Sequence, residues 1–528
     1  MRMTNKIMQN NSLYNINQNK ILQDKLSTQM STQKKLTRPS DDPVVAIRAL
    51  RLRTSVSELK QYHEKNAPDA ESWLKVTSDG LSTANDILTN LSRNANKGAN
   101  KDLKAEDLDI IITQMKSLSD EFYATGNLDY AGRYVFTGFR TDTPMQFTAS
   151  DVADTVNPIP LYQITEQVGI DALDTVSYTT LSGTNVNSKT VTLSGITSSN
   201  YQDSDYQADE TIVNNSSVHR LRMAYRKVLN DGNPIDISVY DESANTETKL
   251  VSPVAAATKE AACALAIDGT SCYVAETGEI FLSDDDYKKI ADKFANPANQ
   301  DVEIRIDYKK KEWENGDLRP EHFFRCQTQD TSGTVDYNKE YTNKLYTNKD
   351  KQVIAYDVGY NQTIEINTTA DEVFQHGLRR DIQDLDAALT ELKNIEEVRA
   401  TLEDALDGLD EKDSTYDATK KQYDAADKAY TYIRENMHDL MQKAITKMQS
   451  YLDDANVAVT DNGTRASRLE LISNRLMDQT TTFETLQSEN EDVDIAEVAI
   501  QMTSANLTYE ASLTATSKIM QTTLMNYI

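Results

Sequence analysis

Few residues in this 528-residue chain have the types and spacing that chemistry needs. His63-Glu64 opens like a zinc-binding His-Glu-x-x-His helix, but Lys65-Asn66-Ala67 follows and supplies no second imidazole. Asp203-Ser204-Asp205 begins like a calcium loop, yet it lacks the central glycine and the closing glutamate. No Gly-x-Ser-x-Gly nucleophile turn and no phosphate-cradling glycine loop occurs. The five histidines (His63, His219, His322, His376, His438) are scattered. Cys263, Cys272 and Cys326 are odd in number and have no repeating spacing, so they make neither a disulfide framework nor a zinc site. Cys263 and Cys272 are the one candidate pair, beside the alternative of free thiols. The expectation is therefore a protein without catalysis, cofactor or metal.

The composition points to a scaffold instead. Lys+Arg 55 against Asp+Glu 83 gives a net charge of −28, which excludes the basic footprint that nucleic acid demands. Hydrophobic residues make up 38%, fewer than the ~45–50% of ordinary globular domains. With only 17 Gly and 10 Pro, the chain reads as long, solvated helices rather than low-complexity disorder. No apolar run is long enough to span a membrane, and the Asn- and Gln-rich start lacks the apolar core of a secretory signal. Asn10-Asn11-Ser12 matches a glycosylation sequon but falls in a helix expected to be buried.

The elements that would organise such a scaffold follow from periodicity. Met3, Ile7, Asn10, Tyr14, Asn17 and Ile21 recur in steps of four and three, the heptad spacing of a helix seeking partners. Asparagines at Asn10 and Asn17 fix register at some cost in stability. At the other end Ile495, Val498, Met502, Ala505, Tyr509, Leu513, Ile519/Met520, Leu524 and Tyr527 form one stripe, carried to Ile528. Residues 1–60 carry an excess of seven positive charges and residues 381–528 an excess of sixteen negative ones, which favours approach of the two ends. Screening leaves the holding to apolar burial at ~25 cal/mol per Å².

Between the terminal helices, Arg38-Pro39-Ser40-Asp41-Asp42-Pro43 stops one helix and starts the next, with Asp42 as N-cap and Pro43 in the first turn. A helical pattern then runs from Ala46 to Tyr62, Pro68 breaks or kinks it near Asn66, and the pattern resumes from Trp73 to Leu91. A further helix covers 105–125, and Tyr130-Ala131-Gly132-Arg133-Tyr134-Val135-Phe136-Thr137-Gly138 reads as an aromatic strand and half of a hairpin. Residues 146–368 turn Thr-, Ser-, Asn- and Asp-rich, with strand-like runs at 188–195, 235–240, 302–308 and 352–356. Helix returns from 369, without proline. The expected fold class is α+β: long terminal α-helices paired as a coiled coil or bundle, with a mainly β central domain inserted between them. The expected boundaries are 1–42 plus 490–528 for the terminal assembly helices, 43–145 plus 369–489 for a helical rod with a β-hairpin, and 146–368 for the outer β part.

In this order, several segments resemble the flagellin superfamily, and within it the hook–filament junction branch. They are Met1-Arg2-Met3-Thr4-Asn5, Arg38-Pro39-Ser40-Asp41-Asp42-Pro43, Ser72-Trp73-Leu74, Gly132-Arg133-Tyr134-Val135-Phe136-Thr137-Gly138, Ile354-Ala355-Tyr356-Asp357-Val358-Gly359 and Asp492-Val493-Asp494-Ile495-Ala496-Glu497 with the stripe behind it. The resemblance covers about residues 1–147 and 460–528, and nothing in 146–368 beyond the piece at 354–359. It implies terminal helices that order only on assembly, and a ring of identical subunits between hook and filament. Its partners would be a neighbouring hook-associated protein on one side and flagellin on the other. It also implies an export chaperone on the C-terminal segment and export, uncleaved, through the flagellar secretion channel to an extracellular site. The assembly seam on this reading is Ile7, Asn10, Tyr14, Asn17, Ile21, Ile495, Val498, Met502, Tyr509, Leu513, Leu524 and Tyr527, and the linker is Arg38 to Pro43. Two alternatives stay open: a filament-forming flagellin, or an adhesin or binding module displayed by the central insertion.

Overall fold

The structure is a computed structural model that describes residues 5–36, 38–40, 42–185, 190–192, 206–232, 235–241, 246–295, 302–330, 333–336, 352–413 and 416–521. Met3, Asp41, the Asp203-Ser204-Asp205 run, Leu524, Tyr527 and Ile528 lie outside the described residues. The fold class is α+β, with long helices at both ends and a mainly sheet region between them. The elements are α1 (Asn5–Thr32), α2 (Pro43–Gln61), α3 (Ala67–Gly98), α4 (Ala105–Thr125), the short strands β1 (Asp129–Tyr130) and β2 (Arg133–Tyr134), and α5 (Ala149–Ala153). Then follow β3 (Leu161–Val168), β4 (Leu173–Asn185), β5 (Thr190–Thr192), β6 (Tyr206–Arg222), β7 (Asp236–Asp241), β8 (Thr246–Val251), β9 (Val254–Ala256) and α6 (Lys259–Ile267). Next come β10 (Cys272–Val274), β11 (Glu279–Leu282), α7 (Asp284–Phe294), β12 (Val302–Lys310), β13 (Arg325–Asp330), β14 (Gly333–Asp336), β15 (Ala355–Gly359) and β16 (Gln362–Glu365). The chain closes on α8 (Ala370–Val373), α9 (Gly377–Asp407), α10 (Tyr416–Glu491) and α11 (Ile495–Gln521).

Contacts group the chain into two compact units, one of residues 1–71, 356–364 and 467–528, the other of 72–355 and 365–466. In the first, α1 and α11 run antiparallel. The Asp42 carboxylate accepts from the Val44 and Val45 amides and Pro43 takes the first turn of α2, the arrangement that the residue types dictate. Pro68 neither breaks nor ends the run. Residues Tyr62–Asn66 widen into a π-helical turn between α2 and α3, which absorbs the missing proline amide without stopping the helix.

In the second unit, β1 and β2 join through Ala131 and Gly132, both at positive φ (53° and 77°), the two-residue hairpin turn that matches strand twist. The strand expected to run to Gly138 ends at Tyr134. Val135 and Phe136 continue as buried loop, because Phe136 packs edge-on against Phe374, which also meets Phe122. Trp73 lies edge-on to Tyr130 with the Arg133 guanidinium 5.1 Å from its ring centre. Two segments far apart in the sequence thus form one aromatic contact.

The central region holds two six-stranded sheets, ordered β5-β4-β6-β11-β10-β9 and β14-β13-β3-β12-β7-β8, antiparallel except for the β9–β10 pair. Strand alternation assigns the residues of the first sheet to two cores. Leu221, Tyr273, Ile280 and Leu282 point to a shared core with Ile164, Ile237, Ile304 and Ile306 of the second sheet. Val218, Cys272, Val274 and Phe281 point the other way, onto Ala262, Cys263 and Ala266 of α6. All three cysteines are buried, and Cys263 and Cys272 are free thiols rather than a pair. They pack as small apolar groups, and the Cys272 Sγ donates to the Ala262 carbonyl at 3.3 Å.

Gly278 closes the turn between β10 and β11 at φ +67°, where an added Cβ would lie 2.1 Å from the Tyr225 carbonyl oxygen. Gly132 has a similar φ, with open space around it. Gly278→Ala is therefore expected to cost about 3 kcal/mol or more and Gly132→Ala only about 1 kcal/mol, a difference that denaturant titration of the two variants reads directly.

Candidate functional site

With so little catalytic constellation in the sequence, the candidate site is a set of surfaces and joints. α1 offers apolar residues all round, and α11 selects one face. Leu26 is buried against Val498 and Ala505, with Val493 and Met502 packed alongside. Asn19 Nδ2 donates to Ser512 Oγ at 3.1 Å, and the Gln23 side-chain amide donates to that of Asn506. The facing residues on α11 are Val498, Met502, Ala505, Tyr509, Ser512 and Thr516, all buried or half-buried at heptad spacing.

The expected seam residues divide between two environments. Val498, Met502 and Tyr509 lie on the face that meets α1. Ile7 (49% exposed), Tyr14 (63%) and Ile21 (62%), with Asn10 and Asn17, lie on the opposite side of α1, pointing away from α11. Ile495 and Leu513 flank the pairing face of α11 and are exposed. The α1 residues of the intrachain seam are thus Ser12, Ile16, Asn19, Gln23 and Leu26, a stripe that heptad counting from the N-terminus missed. The polar Asn19 and Gln23 were its available signal, since their spacing from Leu26 is also heptad.

The turn between α1 and α2 is tied to the turn before α11. The Lys35 amide donates to the Glu491 carbonyl at 2.7 Å, the Val493 amide to the Gln33 carbonyl at 3.0 Å, and Lys34 pairs with Asp492. Arg53 grips the Glu491 carboxylate with two bonds of 2.7 and 2.6 Å. The bond from Arg53 holds the Glu491 carboxyl below its ordinary range against the effect of burial, with Lys34 adding to it. Of the expected linker, Arg38, Pro39 and Ser40 are exposed and Asp42 caps α2.

A second joint went unread in the sequence. Arg220 on β6 is buried and bonds Asp174, Glu279 and Asp384, each at 2.7 Å. Arg222, two residues on and on the same strand face, pairs with Asp381 and Asp384 of α9. Lys447 and Tyr451 of α10 also bond Asp381. Burial would raise the Asp384 carboxyl, but Arg220 and Arg222 hold it down to about 2. This network fastens the sheet to the helical hairpin of α9 and α10. Asp384→Ala takes one partner from each guanidinium and leaves Arg220 with Asp174 and Glu279 and Arg222 with Asp381, so it is expected to destabilise this unit by about 2–3 kcal/mol, read as a lower thermal midpoint of its unfolding.

Burial also reshapes single titrations. The Glu166 carboxyl, enclosed between the sheets, is pushed up to about 7 by burial, although the Ala224 amide and the Tyr308 hydroxyl both donate to it. Burial holds His322 and His376 near 3, so both stay neutral at physiological pH. A carboxyl raised in the folded state favours folding below its ordinary value, and that contribution is lost as pH rises through the folded-state value. Glu166→Gln is expected to flatten the decline in stability between pH 4.5 and 7 and to leave the variant more stable than the parent at pH 8 by up to about 3 kcal/mol. Urea titrations across this range measure it.

Among the described residues no group of three or more His, Cys, Asp or Glu side chains is placed to hold a metal ion. No helix among them is long and apolar enough to cross a membrane. Residues 3–141 match the family described as bacterial flagellin N-terminal helical region. Flagellar hook-associated protein 3 of Salmonella typhimurium is 27% identical over 149 residues, 27% of this chain and 45% of that protein. Flagellar hook-associated protein 3 of Escherichia coli K12 is 27% identical over 144 residues, again 27% of this chain and 45% of the relative. The chain thus spans less than half the length of these curated relatives. FlgL of Xanthomonas campestris, a solved structure, aligns over 83% of this chain and 99% of its own at 12% identity, with a TM-score of 0.31.

Proposed function

We propose that this chain, which carries a bacterial flagellin N-terminal helical region at residues 3–141, is a structural part of the bacterial flagellum that self-assembles through its terminal helices at the junction of hook and filament. The observation that carries the reading is the two-sidedness of α1. One face is used within the chain by Leu26, Gln23 and Asn19, while Ile7, Leu13, Tyr14, Ile21 and Leu22 stand exposed elsewhere on the helix. Apolar surface of that extent marks an interaction site. Exposed Ile500, Leu507 and Leu513 extend it onto α11.

On this reading the terminal pair (1–42 with 490–528) is the assembly layer, the helices of 43–145 and 369–489 form the rod, and 146–368 is the outer part. Identical subunits meet face to different face and close into a ring. A hook-associated protein lies on one side and flagellin on the other, and a chaperone covers the C-terminal segment before export to the cell exterior. The charge and apolar patterning of the ends support self-association, and the relatives' names support the place in the flagellum.

The two faces of α1 separate assembly from folding. Tyr14→Asp or Ile21→Asp is expected to leave the circular dichroism of the monomer unchanged and to abolish filament attachment in a strain carrying the variant, because a charge would enter the intersubunit seam unpaired. Leu26→Asp is expected to lower helicity in the monomer itself. Filaments attached normally in both outward-face variants, or long tubes formed by the purified protein alone, would overturn the junction reading.

A further inference from the structure

A cleft of about 290 Å³ opens beside the charged joint, within the unit that holds the sheets. Arg226, Thr277, Arg380 and Gln383 line it, and Arg226, Arg380 and Gln383 also line the smaller recess next to it.

Four of the carboxylates that line the cleft are already engaged, Asp384 by Arg220 and Arg222, Glu279 by Arg220, Asp386 by Lys116 at 2.5 Å and Glu391 by Lys259 at 3.9 Å, and a fifth, Asp439, shares the lining with Lys443. Arg380 has no such partner. It is 6% exposed, its two terminal nitrogens donate to Gln383 Oε1 (2.9 Å) and the Thr277 carbonyl (2.6 Å), and its Nε has no acceptor. No described carboxylate lies within ion-pair distance of it. The Thr277 Oγ1 is likewise buried and unpartnered. Arg226 approaches from the turn that Gly278 packs against, is exposed, and makes no ion pair with a described residue. The carboxylate whose field it shares, Glu314, pairs with Lys227 at 2.8 Å.

A buried guanidinium without a direct ion-pair partner is costly, and Asp384 and Glu279 act on Arg380 only from beyond ion-pair distance. We propose that this cleft binds a small oxyanion, phosphate or carboxylate, held by Arg380 and Arg226 with the Thr277 hydroxyl as a third donor. Guanidinium forks match the paired oxygens of either group. Burial lowers the Arg380 guanidinium to about 10, Asp384 opposing and Arg222 adding to the effect. An anion in the cleft would reverse that.

The test uses the full-length protein at constant ionic strength with chloride as the balancing salt. Inorganic phosphate and, separately, acetate are titrated by calorimetry, with the thermal midpoint followed in parallel. Saturable binding of phosphate, acetate or both, with a raised midpoint, is expected, and the two arms tell a phosphate site from a carboxylate site. Arg226→Gln, exposed and therefore safe for folding, should weaken binding about tenfold, the loss of one charge-assisted bond. Thr277→Val should weaken it as well. Absence of saturable binding in both arms, or parental affinity in Arg226→Gln, would overturn the proposal.

Discussion

A helix paired with one other helix can bury only one side, and α1 carries apolar residues on more than one. Pairing with α11 through Leu26, Val498 and Ala505 therefore leaves the opposite stripe in water, whatever the rest of the chain does. Isolated helices of this kind are marginal, since nucleation costs more than a few turns return. The first and last segments thus depend on each other, and the remaining apolar stripe invites a further layer. The tie of Lys34, Lys35 and Arg53 to Glu491 and Asp492 sits where both terminal helices meet their neighbours, so the loops on either side are fixed by one small set of bonds.

The central region is held by a different balance. Its core comes from strand alternation, with one sheet buried on both faces, by the second sheet and by α6. Its attachment to α9 and α10 is ionic. A buried network of this kind adds less stability than its bond count suggests, because each charge had to leave water. It does discriminate against displaced arrangements, since a shift of the sheet would part Arg220 and Arg222 from Asp384 and Asp381 and leave those carboxylates without their guanidinium partners. Arg380 stands at the edge of the same network with an unused donor, which is why the adjoining cleft has a chemical character of its own.

Much of this was legible in the residues alone. Asp42 and Pro43 marked a helix start because capping is local chemistry, and 105–125 appeared as a helix because its apolar spacing has a single period. The runs at 235–240 and 302–308 became β7 and β12 because β-branched alternation admits little else. The aromatic run after Gly132 was over-extended. Nothing local says that Phe136 leaves its strand to meet Phe374.

What the sequence determined by itself was the kind of element and the existence of stripes, both set by interactions within a few residues. It could not say which stripe of α1 faces α11, because Ile7, Tyr14 and Ile21 and the Ser12 to Leu26 series share the same period, and only the partner's surface chooses between them. Nor could it single out Arg220, Arg222, Asp381 and Asp384 among the chain's many charges. Their meaning lies in a strand and a helix more than 150 residues apart meeting where water is excluded, and only the tertiary structure decides where that is.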